Sequence, residues 1–144
     1  MNIFGRGEVH PDGRGAGVWV RRSKNVRIDG IVVSQLPIGQ CDSVELTNVK
    51  SISHYGWGDG MDVFSSSNVI LDGVFCRNSD DCAAVYASTQ GFKGGSNNVL
   101  VKNATLWADV AHPINIGGHG DPNGMDTVQN VTFRNIDILD QAEK

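Results

Sequence analysis

The chain of 144 residues lacks any long segment with the 3.6-residue apolar period of an amphipathic helix. It also lacks long runs of helix-forming residues, while it carries 18 glycines. A helical bundle is therefore not expected. No apolar stretch is long enough to span a bilayer, so no membrane partner is expected. The opening residues, Met1-Asn2-Ile3-Phe4-Gly5-Arg6, do not have the form of a signal peptide. Basic residues are sparse and unclustered, 12 Lys and Arg against 16 Asp and Glu for a net charge of −4. A nucleic acid would find no electrostatic footprint on such a chain. Three cysteines, Cys41, Cys76 and Cys82, have no metal-site spacing and leave one thiol over if a disulfide forms. Cys76 falls on the buried side of its segment and is expected to be a packed thiol. No cofactor is expected, and the oligomeric state is not legible.

What is present is a repeat. Five segments share one pattern: Asn25-Val26-Arg27-Ile28-Asp29-Gly30-Ile31, Ser43-Val44-Glu45-Leu46-Thr47-Asn48-Val49, Asn68-Val69-Ile70-Leu71-Asp72-Gly73-Val74, Asn98-Val99-Leu100-Val101-Lys102-Asn103-Ala104 and Asn130-Val131-Thr132-Phe133-Arg134-Asn135-Ile136. Their starts lie 18, 25, 30 and 32 residues apart, a period that signals a solenoid. Within each segment apolar residues alternate, as in a strand with one buried face. The sixth position holds only Gly or Asn (Gly30, Asn48, Gly73, Asn103, Asn135), the residues that enter the left-handed region at least cost. A one-residue bend between two short strands is predicted there. Strand, bend, strand, longer turn and strand, repeated, predict an all-β parallel β-helix. A two-sheet antiparallel sandwich is the alternative, and the repeated bend favours the solenoid.

Residues 1–144 are expected to form one such solenoid of about five coils, an internal piece without terminal caps. Asn2 to Val9 reads as part of an earlier coil, and Ile136-Asp137-Ile138-Leu139-Asp140 as a strand with an uncovered edge. Two insertions, around Gln90–Asn97 and Asp121–Met125, are expected to project as loops on the binding side.

Register then places the acids. Cys82-Ala83-Ala84-Val85-Tyr86 and Pro113-Ile114-Asn115-Ile116-Gly117 match Gly60-Met61-Asp62-Val63-Phe64 strand for strand. The residues just before these blocks are Asp59, Asp81 and His112, which should stack one per coil. Asp80 sits one residue to the side, and Asp62 faces outward on the Asp59 strand. Carboxylates brought this close repel, so at least one should hold its proton. An acid that donates a proton beside carboxylates that accept one is the arrangement of glycoside hydrolysis. A calcium site is the competing explanation of clustered acids. The histidine in the stack argues against a hard cation, and no metal is expected.

Taken together, Asp59-Gly60-Met61-Asp62, Asn78-Ser79-Asp80-Asp81-Cys82 and His112-Pro113-Ile114-Asn115-Ile116-Gly117 resemble the signature of glycoside hydrolase family 28, the polygalacturonases. The resemblance covers most of residues 16–140. It implies a right-handed, pectin-lyase-like parallel β-helix and an inverting hydrolase acting on a polysaccharide. Carried over by position, it makes Asp80 the general acid, Asp59 and Asp81 the holders of the attacking water, and His112 a residue that tunes the acid. Asp62 would help to bind substrate. Apart from the resemblance, Trp57, Tyr86 and Trp107 fall near the expected cleft and are candidates to stack on sugar rings, with core or turn packing the equal alternative, and Asn115 is a further candidate substrate contact. A secreted or periplasmic parent protein is implied. Trp57-Gly58 and Pro113 depart from the family pattern, and the spacing of 31 residues from Asp81 to His112 is long. His119, in Gly117-Gly118-His119-Gly120, copies the local motif but lacks the strand that should follow. The family's Arg-x-Lys motif would fall just after Lys144. Residues 105–114 also resemble family 49, the dextranases and isopullulanases, which implies an α-glucan as the alternative substrate. A non-catalytic carbohydrate-binding solenoid is the alternative from another class. A lyase is disfavoured because no Arg or Lys falls in the stack.

Overall fold

The computed structural model describes residues 17–139 in full and the backbone of residues 2–4 and 8–9. The alternating apolar pattern becomes five coils and the start of a sixth. The first coil carries β1 (Asn2–Phe4), β2 (Glu8–Val9) and β3 (Val20–Arg21). The second carries β4 (Lys24–Asp29), β5 (Val32–Val33) and β6 (Ile38–Gly39), and the third β7 (Asp42–Thr47), β8 (Lys50–Ile52) and β9 (Val63–Phe64). The fourth has β10 (Ser67–Asp72), β11 (Phe75–Asn78) and β12 (Ala83–Tyr86). In the fifth, the first two runs merge into β13 (Ser96–Ala108) before β14 (Ile114–Ile116), and β15 (Val128–Ile138) begins the next coil. Every pairing between described strands is parallel, as a β-helix requires and a sandwich does not. The expected placement of Asn2–Phe4 in an earlier coil is observed, since Ile3 pairs with Ile28. Gly5, Arg6 and Gly7, and Asp140 at the other end, lie outside the described residues.

The five repeats stand in the predicted register. Val26 pairs with Val44, Val44 with Val69, Val69 with Val99 and Val99 with Val131. These inward columns, with Ile28, Leu46, Leu71 and Val101 beside them, form one continuous core. Each such side chain taken fully out of water contributes about 2 kcal/mol. The sixth-position bend is left-handed at all five sites, with φ between 52° and 71°. Asparagine does more than tolerate that conformation. Asn135 Nδ2 donates to Asn103 Oδ1 at 2.8 Å, and Asn103 Nδ2 donates to Asp72 Oδ1 at 2.8 Å, so the corner is tied from coil to coil.

Two features differ from the sequence expectation. The first residue of each repeat is a second left-handed corner, with Asn25, Ser43, Asn68, Asn98 and Asn130 at φ between 51° and 60°. Cys76 is not a free thiol. It is fully buried, as its strand face requires, but it forms a disulfide with Cys82 across a Cα–Cα distance of 5.7 Å. The chain turns a corner between β11 and β12, which aims both side chains at the core within disulfide reach. Closing a loop this short is worth about 2 kcal/mol in the chain-entropy account. Cys41 is the free, buried cysteine.

Candidate active site

The residues that precede β9, β12 and the strand β14 are the ones the repeat brings together. Val63 pairs with Val85, and Val85 with Ile116, which puts Asp59, Asp81 and His112 on three adjacent rungs. Ladder hydrogen bonds continue into this segment. Gly60 N donates to the Asp81 carbonyl at 2.7 Å, and Cys82 N donates to the His112 carbonyl at 3.0 Å. Asp80 N donates to the Gly58 carbonyl at 3.1 Å, which turns the Asp80 side chain beside the stack. Asp59, Asp80 and Asp81 each offer an oxygen within 4.8 Å of the other two. Those three oxygens would be the donors for any divalent cation bound here.

The scaffold under this turn is Asn78, which is fully buried. Its side-chain amide donates to the carbonyls of Asp59 and Ser34, and its Oδ1 accepts from the Ser51 hydroxyl at 3.3 Å. One side chain thus ties the Asp80-Asp81 turn to the two coils before it. The disulfide clamps the same turn from both sides, at residues 76 and 82.

A cleft of about 300 Å³ opens over these groups. Asp59, Asp62, Asp80, Asp81, His112 and Asn115 line it, together with Phe64, Tyr86, Thr89, Gln90, Ala111 and His119. None of these lining residues is Arg or Lys. Past Phe64 the outer sheet face is covered by aromatic rings. Phe92 stacks on Phe64 with centroids 6.2 Å apart, and Trp19 lies 6.2 Å from Phe92. Phe92 occupies the space a side chain at Gly39 would need.

Of the predicted residues, the structure gathers Asp59, Asp62, Asp80, Asp81, His112, Tyr86 and Asn115 at one cleft. Trp57 is outside its lining, 89% exposed at the tip of the turn before Asp59, with φ of 64°. Nearness in sequence to Asp59 did not carry it inward. Trp107 is also elsewhere, on the outer face of β13 under the Arg77 guanidinium at 4.0 Å. His112 and His119 separate cleanly: His112 ladders onto Asp81, whereas His119 packs its ring against Tyr86 at 4.9 Å. Gln90 comes from the loop expected on the binding side, whereas Phe64 and Thr89 were missed. The loop at residues 87–95 gave the signal, because an insertion at this point of the coil has to pass over the β9–β12 face. The other expected loop, around Asp121, contributes no lining residue.

Asp59, Asp62 and Asp81 do not titrate alike. Burial, then the charges of Asp80 and Asp81, push Asp59 up to about 7. Burial, then the charge of Asp59, also push Asp62 well above the usual carboxylate range, and its Oδ1 has no hydrogen-bond partner among the described residues. Burial alone would also raise Asp81, but hydrogen bonds reverse it. Tyr86 Oη donates to its Oδ2 at 2.6 Å, Asn115 Nδ2 to the same oxygen at 2.7 Å, and His112 N to Oδ1 at 3.0 Å. The His112 ring nitrogen Nδ1 stands 3.1 Å from Oδ1. The net effect holds Asp81 below the usual carboxylate range. The site therefore sets two carboxyls that favour the protonated form beside one that favours the ionised form.

This has a consequence for stability. Asp59 and Asp62 bind protons more tightly in the folded state than in the unfolded chain. Their contribution is complete below the unfolded value near 4 and is lost as pH rises through about 7 for Asp59. The melting temperature is expected to fall between about pH 5 and pH 8, and Asp59→Asn should flatten that slope. A melting temperature that climbs through the same window would contradict the assignment of these protons.

Comparison with known proteins shows the family. Glycosyl hydrolases family 28 matches residues 15–143. The exopolygalacturonase of Cochliobolus carbonum is 34% identical over 86 residues, which is 59% of this chain and 17% of that protein. Exopolygalacturonase X of Aspergillus niger is 29% identical over 126 residues, 87% of this chain and 24% of that protein. An Aspergillus fumigatus protein named probable endo-xylogalacturonan hydrolase A is 34% identical over 85 residues, 59% of this chain and 18% of its own length. The chain thus spans about a quarter or less of these relatives. No solved structure matches it. The resemblance of residues 105–114 to family 49 is not carried by these matches. The family 28 match runs through the aspartate stack and over nearly the whole sequence, and the chain belongs to glycosyl hydrolases family 28.

Proposed function

We propose that the protein hydrolyses O-glycosidic bonds in a pectin-type polysaccharide, with polygalacturonate as the first substrate to test. The observation that carries this reading is the convergence of Asp59, Asp80 and Asp81 within 4.8 Å at the floor of one cleft. Asp80 is the general acid, giving a proton to the oxygen that leaves. Asp81, ionised and held on both oxygens, accepts a proton from water, and Asp59 shares the water with it. His112 fixes Asp81 from the adjacent rung. Asp62, buried beside Asp59 in the cleft wall, contributes to substrate binding from beneath the catalytic acids. No metal or cofactor takes part in this scheme. The Cys76–Cys82 disulfide suits a secreted or periplasmic protein.

The reaction is assigned as inverting, on the family resemblance. The nearest oxygens of Asp59, Asp80 and Asp81 lie within 4.8 Å of one another, closer than the roughly 6.5–9.5 Å between the two carboxyl groups common in inverting enzymes. This spacing is compatible with inversion here because the water is shared between Asp59 and Asp81 rather than set on a single distant base. Following the anomer released first by proton NMR decides the point. Inversion gives the anomer opposite to the linkage cleaved, and release of the same anomer would overturn the inverting assignment.

Reducing-sugar release from polygalacturonate, rhamnogalacturonan, xylogalacturonan, dextran and pullulan tests the substrate. Release is expected from a galacturonan and not from the two α-glucans. Cleavage of dextran or pullulan alone would move the assignment to a neutral glucan. Binding without any cleavage would favour the carbohydrate-binding solenoid.

A further inference from the structure

Tyr86 stands where a sugar-stacking aromatic would be looked for, yet its ring is not available for stacking. It is 6% exposed. Phe64 stacks on it with centroids 5.8 Å apart and planes 9° from parallel, and His119 meets it at 79°. Its hydroxyl is committed as well. It donates to Asp81 Oδ2 at 2.6 Å and accepts from Asn115 Nδ2 at 3.1 Å, while Asn115 also donates to that same Asp81 oxygen. The three groups close a triangle of hydrogen bonds on one carboxylate oxygen. Register explains it: Asn115 pairs with Ala84, whose small side chain leaves room on the outer face between Asp81 and Tyr86.

We propose that Tyr86, braced by Asn115, is a positioning residue that locks the Asp81 carboxylate in the orientation where it receives the proton of the attacking water. The inference rests on the hydrolase reading and gives the two residues a role other than contact with sugar. The groups facing Asp81 are the carboxyls of Asp59, Asp62 and Asp80, the His112 imidazole, and the Tyr86 phenol with His119 beyond it. Against three neighbouring acids, the donors Tyr86 and Asn115 keep this one ionised. Removing a donor makes its protonation easier.

The test is Tyr86→Phe, which keeps the ring stack and deletes the hydroxyl. Turnover is expected to fall about 10- to 100-fold with KM within about twofold, since a transition-state group is disturbed and a substrate contact is not. The acidic limb of kcat/KM against pH should move up by about one unit, the signature of a base that has lost a hydrogen bond. Asn115→Ser should shift kcat and the limb in the same direction by less, and serves if Tyr86→Phe does not fold. A raised KM with unchanged kcat and an unmoved limb would overturn the proposal, as would no change in either variant. A readout without substrate separates this failure from failure of the hydrolase reading. NMR titration of the Asp81 carboxyl should show a higher midpoint in Tyr86→Phe than in the unsubstituted protein. An unchanged midpoint refutes the positioning role even if the enzyme is active. A raised midpoint in a protein that cleaves no glycan leaves the lock standing and removes the reaction.

Discussion

Replacing Asp80 by asparagine is expected to lower turnover on polygalacturonate by about 10³-fold while leaving the melting temperature nearly unchanged. The fold should not notice the change. Asp80 lies on the turn rather than in the core, and its Oδ1 accepts from the Asp81 backbone N at 3.0 Å, which an amide oxygen can still do. What the amide cannot do is give up a proton to a leaving sugar oxygen. The loss should therefore fall on kcat, with KM little altered. It should also depend on the leaving group. An aryl glycoside whose phenol departs unassisted needs little acid, so the variant should keep most of its activity there. Near wild-type turnover of Asp80→Asn on the polysaccharide would end the acid assignment, and an equal loss on both substrates would point to general damage of the cleft.

Gly60→Ala is expected to be the most damaging small substitution near the site, costing about 3 kcal/mol or more of stability. A Cβ at residue 60 would stand 2.2 Å from the Cys82 carbonyl oxygen and 2.8 Å from the Cys76 sulfur. Neither neighbour can yield. The carbonyl accepts a ladder hydrogen bond from Met61 N at 2.9 Å, and the sulfur is in the disulfide. The strand would have to move off its neighbour, separating Asp59 from Asp81. Activity and stability should therefore fall together, in contrast to Asp80→Asn. Chemical denaturation of both variants beside the unsubstituted protein checks this. A Gly60→Ala protein that melts like its parent would mean that the two coils are not held this closely.

Much of this architecture could be read from residues alone because a solenoid turns sequence period into spatial register. Five Val-x-apolar segments with Gly or Asn at one position fixed the stacking, and the stacking carried Asp59, Asp81 and His112 onto consecutive rungs. Asparagine at four of the five repeat starts was a signal for the second left-handed corner that went unused. The third corner had no signal. Arg22, Gln40 and Ser65 adopt φ of 45°, 52° and 46° because the coil must turn there, although none of them favours it.

Local pattern determined which residues face the core, where the chain bends and which acids share a cleft, because each of these follows from alternation and spacing along a parallel ladder. Only the folded structure decided the rest. It closed Cys76 onto Cys82, kept Trp57 out of the cleft, filled the groove with Phe92 and turned the Tyr86 hydroxyl onto Asp81. Those outcomes depend on how side chains from different coils meet at the corners and on the outer face, where no period repeats and each contact is settled by the shape and charge of its neighbours.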